Sequence, residues 1–231
     1  MKTCTLTLRV LAHLLSYPDA TLRAHLGELR EALHTERALS PSRLAELDLL
    51  MDRMGAHPGV EVEADFVDLF DRGRGTALHL FEHVHGDSRD RGPAMVDLVK
   101  TYEEAGLFMG EDELPDHLTV VLEYASTQPP EHSREFLSEV AHILQVIFSA
   151  LLKRQSAYAS VIAAVLDLAG EKAQAVKLPE EPAIDETWEE PLAFGGCSTE
   201  GQANPGQPQP IQIIKRQPLG AATHPSTGAR A

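Results

Sequence analysis

The sequence predicts an all-α fold, and three observations support that class. Apolar residues recur at spacings of three and four along residues 5–168, which is the period of one face of a helix. No convincing stretch with the two-residue period of a strand occurs before residue 170. Apolar residues make up 43% of the 231 residues and aromatic residues only 5%, so the core should consist mainly of Leu, Val, Ile and Ala. We expect a single helical domain of about eight or nine helices.

Four predicted helices precede residue 71. The first ends at Tyr17, because the proline that follows disfavours helical geometry in the residue before it. The third begins after Ser40, a good N-cap residue that is followed by proline at the first helical position. Gly55 is expected to end this helix. The four segments cover residues 5–16, 22–33, 41–54 and 62–70.

Five more helices are predicted after a break at Gly73-Arg74-Gly75. Pro93 and Pro115 are each expected to open a helix, and Gly106 is expected to close the first of these two. The next segment is expected to be the longest and most apolar helix. The last is apolar on most sides, so a central position is expected. The five segments cover residues 78–84, 93–105, 115–125, 136–151 and 158–168.

The composition changes after the last predicted helix. Eight of the fifteen prolines lie from Pro179 onward, among acidic residues and then Gln, Gly, Ser and Thr. A chain of this kind buries too little apolar surface to offset its ordering entropy, so we expect a disordered C-terminal tail. Trp188, the only tryptophan, could still dock on the helical body together with Leu192 and Phe194. The predicted units are a helical domain at 1–176, an acidic segment at 177–196 and a Pro/Gln/Gly-rich tail at 197–231.

Charge and cysteine usage restrict the classes of partner and the compartment. The formal net charge of −15 repels phosphate backbones and argues against nucleic-acid binding. Cys4 and Cys197 lie far apart and have no metal-ligand spacing, which fits a reduced cytosolic compartment. Arg9 and His13 interrupt the apolar start of the chain, which therefore does not resemble a signal peptide, and no apolar run reaches the roughly 18 residues of a membrane span. We expect a cytoplasmic protein without stable membrane insertion.

The segment His79-Leu80-Phe81-Glu82-His83 matches the H-x-x-E-H pattern of inverted zinc peptidases. On a helix the two histidines would share a face and could bind one zinc ion, with Glu82 as the base. Helical propensity fails soon afterwards, at Gly86, and no downstream glutamate stands out as a third ligand. The pattern therefore favours a structural or recognition role, and a zinc-dependent hydrolase is the alternative from another class.

Two further polar segments allow both a plain and a functional interpretation. Residues 87–91, Asp-Ser-Arg-Asp-Arg, can form a binding loop or a capped turn with a local ion pair. Residues 113–117, Glu-Leu-Pro-Asp-His, can be a recognition segment or a helix start whose acidic residues complement the helix dipole. No nucleophile–base arrangement and no glycine-rich phosphate loop is found. We therefore predict no catalytic residues, no cofactor and no bound metal.

Several long motifs, in order along the chain, resemble the NarJ/NarW family of assembly chaperones for respiratory nitrate reductase. They are LLSYPD at 14–19, FVDLFD at 66–71, LHLFEHVHGDSRDRGPAMVDL at 78–98, ELPDHL at 113–118, and the acidic Trp188 segment ending at Phe194. The resemblance covers about residues 5–195. Residues 113–117 also resemble the E-x-x-D-H signature of the wider TorD and DmsD group of molybdoenzyme chaperones.

The resemblance implies a TorD-like helical fold and a protein that is not an enzyme. It implies a system-specific chaperone that binds the catalytic (alpha) subunit of nitrate reductase, notably its N-terminal leader-like segment. Such a chaperone keeps the apoenzyme competent for molybdenum-cofactor insertion, delays membrane attachment and is absent from the mature enzyme. The resemblance also implies the molybdenum-cofactor delivery machinery as a further partner. A chaperone for another molybdoenzyme, such as a sulfoxide or amine-oxide reductase, and a plain helical scaffold without a client remain alternatives.

The recognition surface is expected around the 113–117 segment, with the 79–89 segment close by. An acidic helical body with an apolar groove suits a partly helical peptide that carries apolar anchors and basic residues. The histidines titrate near neutrality, so binding could depend on pH. The predicted peptide-binding residues are Glu113, Asp116, His117, His79, Glu82, His83, Arg89 and Tyr102.

Overall fold

The computed structural model describes residues 3–85, 90–110 and 113–178, with the side chain of His85 excepted. These residues form eleven α-helices, one short 3-10 helix and a single isolated β-bridge, so the all-α prediction is confirmed. The 3-10 helix spans Arg74–Thr76. The α-helices are α1 (Thr5–Leu14), α2 (Ala20–Ala24), α3 (Leu26–Glu36), α4 (Pro41–Ala56), α5 (Gly59–Phe70), α6 (Leu80–His85), α7 (Arg91–Glu104), α8 (Leu118–Thr127), α9 (Pro130–Glu139), α10 (Ala141–Lys153) and α11 (Ala159–Ala169).

Each of the nine predicted segments is helical, and two of them are divided. His25 separates α2 from α3, and a bend of 66° at Val140 separates α9 from α10. Both α9 and α10 pack against α11, so the apolar period continues across the bend and conceals it. The prediction that this region forms the longest helix is wrong, because α4 is longer, with 16 residues.

The predicted helix starts are partly confirmed. Ser40 caps α4 as expected: its hydroxyl accepts a hydrogen bond from the backbone N–H of Arg43 at 3.2 Å. The expectation that Gly55 ends this helix is wrong, because α4 continues to Ala56. The openings predicted at Pro93 and Pro115 are wrong as well. Helix α7 already begins at Arg91, before Pro93. Helix α8 begins only at Leu118, because Pro115 and Asp116 are buried in the connection to α8.

Helix α11 lies at the centre of the core, as predicted. Residues 161–166 each have 0% exposed surface, so this helix is buried on all sides. It packs against α1, α4, α9 and α10, and α1 in turn packs most extensively against α8. Helix α8, which directly follows the 113–117 segment, is thus tied to the core through α1.

Within the described residues no single helix is long and apolar enough to cross a membrane. Helices α9 and α10 would meet such a test only as a pair, across their bend. The predictions for Trp188, for its docking and for the disordered tail at 197–231 concern residues outside the described ranges. All eleven helices belong to one compact unit, Met1–Glu180.

Candidate functional site

An antiparallel β-bridge between His79 and His117 brings the two motifs of the sequence together. The backbone N–H of Leu80 donates to the Asp116 carbonyl at 3.0 Å, and the N–H of Leu118 donates to the Leu78 carbonyl at 2.9 Å. The two imidazole rings meet edge to face, with their centroids 4.9 Å apart. The bridge therefore sets the beginning of α6 against the beginning of α8.

The Asp116 side chain lies beneath this bridge and has no exposed surface. Its Oδ2 accepts a hydrogen bond from the backbone N–H of Phe81 at 3.1 Å. The carboxylate thus caps the first turn of α6, a helix from another part of the chain. The alternative, a helix start whose acidic residues complement the dipole, is not met at α8, because its first turn holds no acidic residue and it begins without a side-chain cap.

Two basic side chains lie beside Asp116. His79 Nδ1 lies 3.5 Å from Asp116 Oδ1, and Arg91 Nη2 lies 3.6 Å from Asp116 Oδ2. The same Arg91 nitrogen lies 3.8 Å from Glu82 Oε1. These distances are those of ion pairs and exceed the 2.7–2.9 Å that is typical of charge-assisted hydrogen bonds. We call these four residues, His79, Glu82, Arg91 and Asp116, the charged cluster.

The charged cluster shifts the pKa values of its members. Burial opposes ionisation of Asp116, but His79 and the Phe81 N–H stabilise the carboxylate, and its pKa is held below the ordinary value. The Asp116 carboxylate that faces the ring raises the pKa of His79, against the effect of burial. Burial, together with the neighbouring His79, lowers the pKa of His117. The two histidines are therefore expected to differ in charge near neutral pH.

Tyr102 anchors the 113–117 segment from helix α7. Its side chain is 1% exposed, and its hydroxyl donates a hydrogen bond to the Pro115 carbonyl at 2.8 Å. Burial raises the pKa of Tyr102. Its ring contacts that of Tyr124 on α8, with centroids 4.8 Å apart, and Tyr124 contacts Phe136 on α9 at the same separation. Tyr102 therefore positions the segment rather than presenting a free hydroxyl.

An open pocket of about 390 Å³ lies beside this segment, between α1, α8 and the chain that follows α7. We call it the α1–α8 pocket. Tyr102 and Glu113, both predicted as site residues, line it together with three consecutive apolar residues, Leu107, Phe108 and Met109. Phe108 is 82% exposed, which is unusual for an aromatic side chain. The remaining lining residues are Arg9, His13, Val120, Glu123, Tyr124, Ser126 and Thr127.

The structure does not assemble the zinc site of the alternative interpretation. His79 precedes the first residue of α6 and turns its Nδ1 toward Asp116. His83 Nε2 lies 2.9 Å from the Ala77 carbonyl oxygen, and Glu82 faces Arg91. Among the described residues no group of three His, Cys, Asp or Glu side chains could hold a metal ion.

Most predicted site residues converge on one region, but not all in the same way. Asp116, His79, Glu82 and His117 meet around the β-bridge, whereas Glu113 faces the α1–α8 pocket and contacts Gly110 N at 3.3 Å. His83 is placed on the inner side of α6 and does not join them. Arg89 lies outside the described residues.

Sequence reasoning missed the basic member of the charged cluster and the apolar wall of the pocket. Arg91 stands two residues after Arg89, the arginine that was selected. The run Leu107-Phe108-Met109 directly follows a helix-ending glycine, and three apolar residues outside a helix are a signal of exposed apolar surface. A second groove, of about 700 Å³, between α4, α5 and the α10–α11 turn contains none of the predicted residues.

Comparisons with known proteins concern the chain as a whole. The nitrate reductase delta subunit family model matches residues 17–164. The chain is 38% identical, over 191 residues, to the nitrate reductase molybdenum cofactor assembly chaperone NarJ of Escherichia coli K12, and the alignment covers 78% of this chain and 81% of that protein. It is 37% identical, over 194 residues, to the probable chaperone NarW of the same strain, with 79% and 80% covered.

A solved structure shares the fold. It is the crystal structure of a protein from Archaeoglobus fulgidus provisionally described as a redox enzyme maturation protein. The TM-score is 0.50 at 18% sequence identity, and the match covers 72% of this chain and 94% of that one. At this identity the likeness concerns the fold alone.

Proposed function

Because the chain belongs to the nitrate reductase delta subunit family, we propose that it is an assembly chaperone for a respiratory nitrate reductase. In this proposal it acts in the cytoplasm and binds the catalytic (alpha) subunit of the enzyme, mainly through the N-terminal segment of that subunit. It keeps the apoenzyme competent for molybdenum-cofactor insertion, in exchange with the cofactor delivery machinery. It delays membrane attachment and leaves before the enzyme is mature.

The observation that carries the proposal is the α1–α8 pocket, in which an exposed aromatic side chain lies beside carboxylates. Phe108 offers apolar surface to a partner, and Glu113 and Glu123 line the same pocket. A short helix or turn of the client would bury its apolar anchors against Phe108 and pair its basic residues with Glu113 and Glu123. The charge of −15 would speed the encounter with such a basic segment.

The prediction that the protein is not an enzyme agrees with the relatives, which are named as assembly chaperones. In this proposal the charged cluster is an organising and recognition element. The Asp116 carboxylate of this cluster accepts a hydrogen bond from the Phe81 N–H and lies beside the basic side chains of His79 and Arg91. A carboxylate engaged in this way suits binding rather than proton transfer to a substrate.

The test is calorimetric titration of the full chain with a peptide of the first ~15 residues of the nitrate reductase catalytic subunit, a length that allows a few helical turns. Saturable binding that is lost with a scrambled peptide is expected. No binding across pH 6–8 would contradict recognition of this segment. Tighter binding of a sulfoxide or amine-oxide reductase leader would favour the alternative client.

The zinc-hydrolase alternative has its own measurement. Metal analysis of the purified protein should find no stoichiometric zinc, because His79 and His83 face different partners. One zinc ion per chain, lost on substitution of His79, would support the alternative instead.

A further inference from the structure

Arg91 lies beside the buried Asp116 carboxylate. Its side chain is 27% exposed, whereas that of Asp116 is 0% exposed. A single guanidinium nitrogen of Arg91 is shared between Asp116 at 3.6 Å and Glu82 at 3.8 Å. One cation on α7 therefore serves two carboxylates, one on α6 and one beside the β-bridge.

Neither contact of Arg91 has hydrogen-bonding distance. An arginine that is locked to a carboxylate commonly makes two parallel hydrogen bonds of about 2.7–2.9 Å. Asp116 accepts a hydrogen bond only from Phe81 N among the contacts found in the described residues, and its Oδ1 and His79 Nδ1 are buried without a hydrogen-bond partner there. Since a carboxylate has about four acceptor positions, Asp116 is held in a charged form but is not saturated with donors.

The surroundings would favour another cation. Glu82 and Asp116 outnumber Arg91, and the 113–117 segment adds the exposed Glu113 next to the α1–α8 pocket. His79 supplies a second positive charge only when it is protonated. Without Arg91, the carboxylates of Glu82 and Asp116 would lose the cation that they share, in a protein with a net charge of −15.

We propose that Arg91 is a displaceable occupant, and that in the complex a lysine or arginine of the client takes its position between Glu82 and Asp116. This inference rests on the proposed function, because it assumes that the client binds at this site. The client cation would make with Glu82 and Asp116 the close hydrogen bonds that Arg91 does not make with these two residues, while Arg91 swings toward solvent. Arg91 would thereby suppress weak binding of other basic chains to the free protein, since every such chain must first displace Arg91.

The test compares peptide affinity in Arg91 variants by calorimetry. The probes are the 15-residue N-terminal peptide of the catalytic subunit and a version in which each lysine and arginine is replaced by glutamine. We expect Arg91→Met to bind the native peptide about threefold to fivefold more tightly than the unchanged protein, the weight of one partly exposed ion pair. Arg91→Lys, which keeps the charge, should gain less affinity than Arg91→Met. The glutamine peptide should gain nothing from Arg91→Met.

The direction of the change decides between a displaceable and a purely structural arginine. If Arg91 only supports the site, Arg91→Met binds the native peptide with equal or lower affinity, and the proposal is overturned. Thermal unfolding verifies that the variant is folded, and Arg91→Gln, with the same expected direction, replaces it if it is not.

Failure of the proposed function gives a different pattern. If the unchanged protein binds neither peptide, it does not recognise the N-terminal segment of the catalytic subunit. Binding by Arg91→Met alone would then still support displacement, and no binding by either protein would overturn both proposals. A gain that is equal for the native and the glutamine peptide would overturn displacement by a client cation while leaving the proposed function intact.

Discussion

The Asp116 carboxylate accepts a hydrogen bond from the backbone N–H of Phe81 at 3.1 Å, across 35 positions of sequence. A residue that is predicted to take part in recognition is thus also a cap for α6. Its side chain is fully buried, so it can reach a client only if its neighbours move. Loss of peptide binding in an Asp116 variant must therefore be compared with the loss of stability in the same variant.

The first prediction concerns the stability of Asp116 variants. Asp116→Ala removes the cap of α6 and leaves His79 and Arg91 without their shared carboxylate. We expect a loss of about 2 kcal/mol in the free energy of unfolding, at the lower end for buried pairs because both basic partners are partly exposed. Asp116→Asn keeps an acceptor for Phe81 and should lose about half as much. Urea unfolding measures both, with the exposed Glu113→Ala as control; an equal loss in that control would contradict the cap.

The Asp116 carboxylate should also make the free energy of unfolding depend on pH in the acid range. The pKa of Asp116 is lowered in the folded state, so its stabilisation is complete above its ordinary pKa of 3.8 and disappears as the pH falls through the lowered value. The difference in unfolding free energy between the unchanged protein and Asp116→Asn should therefore shrink toward acid pH. A difference that stays constant between pH 6 and pH 3 would contradict this assignment.

The second prediction concerns the two histidines of the β-bridge. The pKa of His79 is raised and that of His117 is lowered, so NMR titration should show His79 losing its proton at a higher pH than His117. Stability contributed by His79 is present below its ordinary pKa of 6.5 and lost as the pH rises through the folded value. For His117 the sign is opposite, because protonation is disfavoured in the folded state, so stability is lost as the pH falls below 6.5.

Single substitutions should separate these opposing contributions. His79→Gln should make stability fall less as the pH rises from 6 to 8, and His117→Gln should make it rise less over the same interval. Unfolding in urea at several pH values provides the slopes. Reversed slopes would show that the facing rings are charged in the opposite order. Peptide affinity measured over the same pH interval would show whether binding depends on the protonation of either histidine.

The helical segments could be predicted because each helix buries one apolar face, and this produces a period visible in the sequence. The divisions at His25 and Val140 could not, because apolar spacing continues through both. The course of residues 115–117 was predicted incorrectly for a related reason. Pro115 is a good helix opener, but here its carbonyl is held by Tyr102, a tertiary contact that overrides local preference.

The candidate site was only partly accessible from the sequence. The motif residues His79, Asp116 and His117 were selected, but their meeting depends on a β-bridge between distant segments, which no local pattern specifies. His83 was selected for its spacing, yet its ring nitrogen faces a backbone carbonyl. Arg91 was missed for the same reason, because two arginines in one polar run are equivalent until a fold orients them, and Arg89 itself lies outside the described residues.

The third prediction concerns the hydroxyl of Tyr102. Tyr102→Phe keeps the ring contact with Tyr124 but leaves the Pro115 carbonyl without its donor. We expect a loss of about 1 kcal/mol in the free energy of unfolding and a weaker hold on the 113–117 segment. Tyr124→Phe, which keeps its ring contacts with Tyr102 and Phe136, is the matched control and should cost less. Equal losses for the two variants would show that the Tyr102 hydrogen bond contributes little.

The fourth prediction concerns Phe108 as the apolar anchor of the α1–α8 pocket. Its ring is 82% exposed, so Phe108→Ser removes little buried surface and should change the free energy of unfolding by less than about 0.5 kcal/mol. An aromatic ring buried against a client commonly carries 2 kcal/mol or more of binding, so affinity for the N-terminal peptide should fall by about thirtyfold.

Val60 provides the matched control for this substitution. It is 79% exposed on α5 and does not line the pocket, so Val60→Ser should alter neither stability nor affinity. A loss of binding in both variants would indicate a general effect of surface polarity rather than an anchor. Unchanged affinity in Phe108→Ser would move the client's apolar contact away from the α1–α8 pocket. A selective loss in Phe108→Ser would instead place it there, because Phe108 and Val60 are about equally exposed and differ in whether they line this pocket.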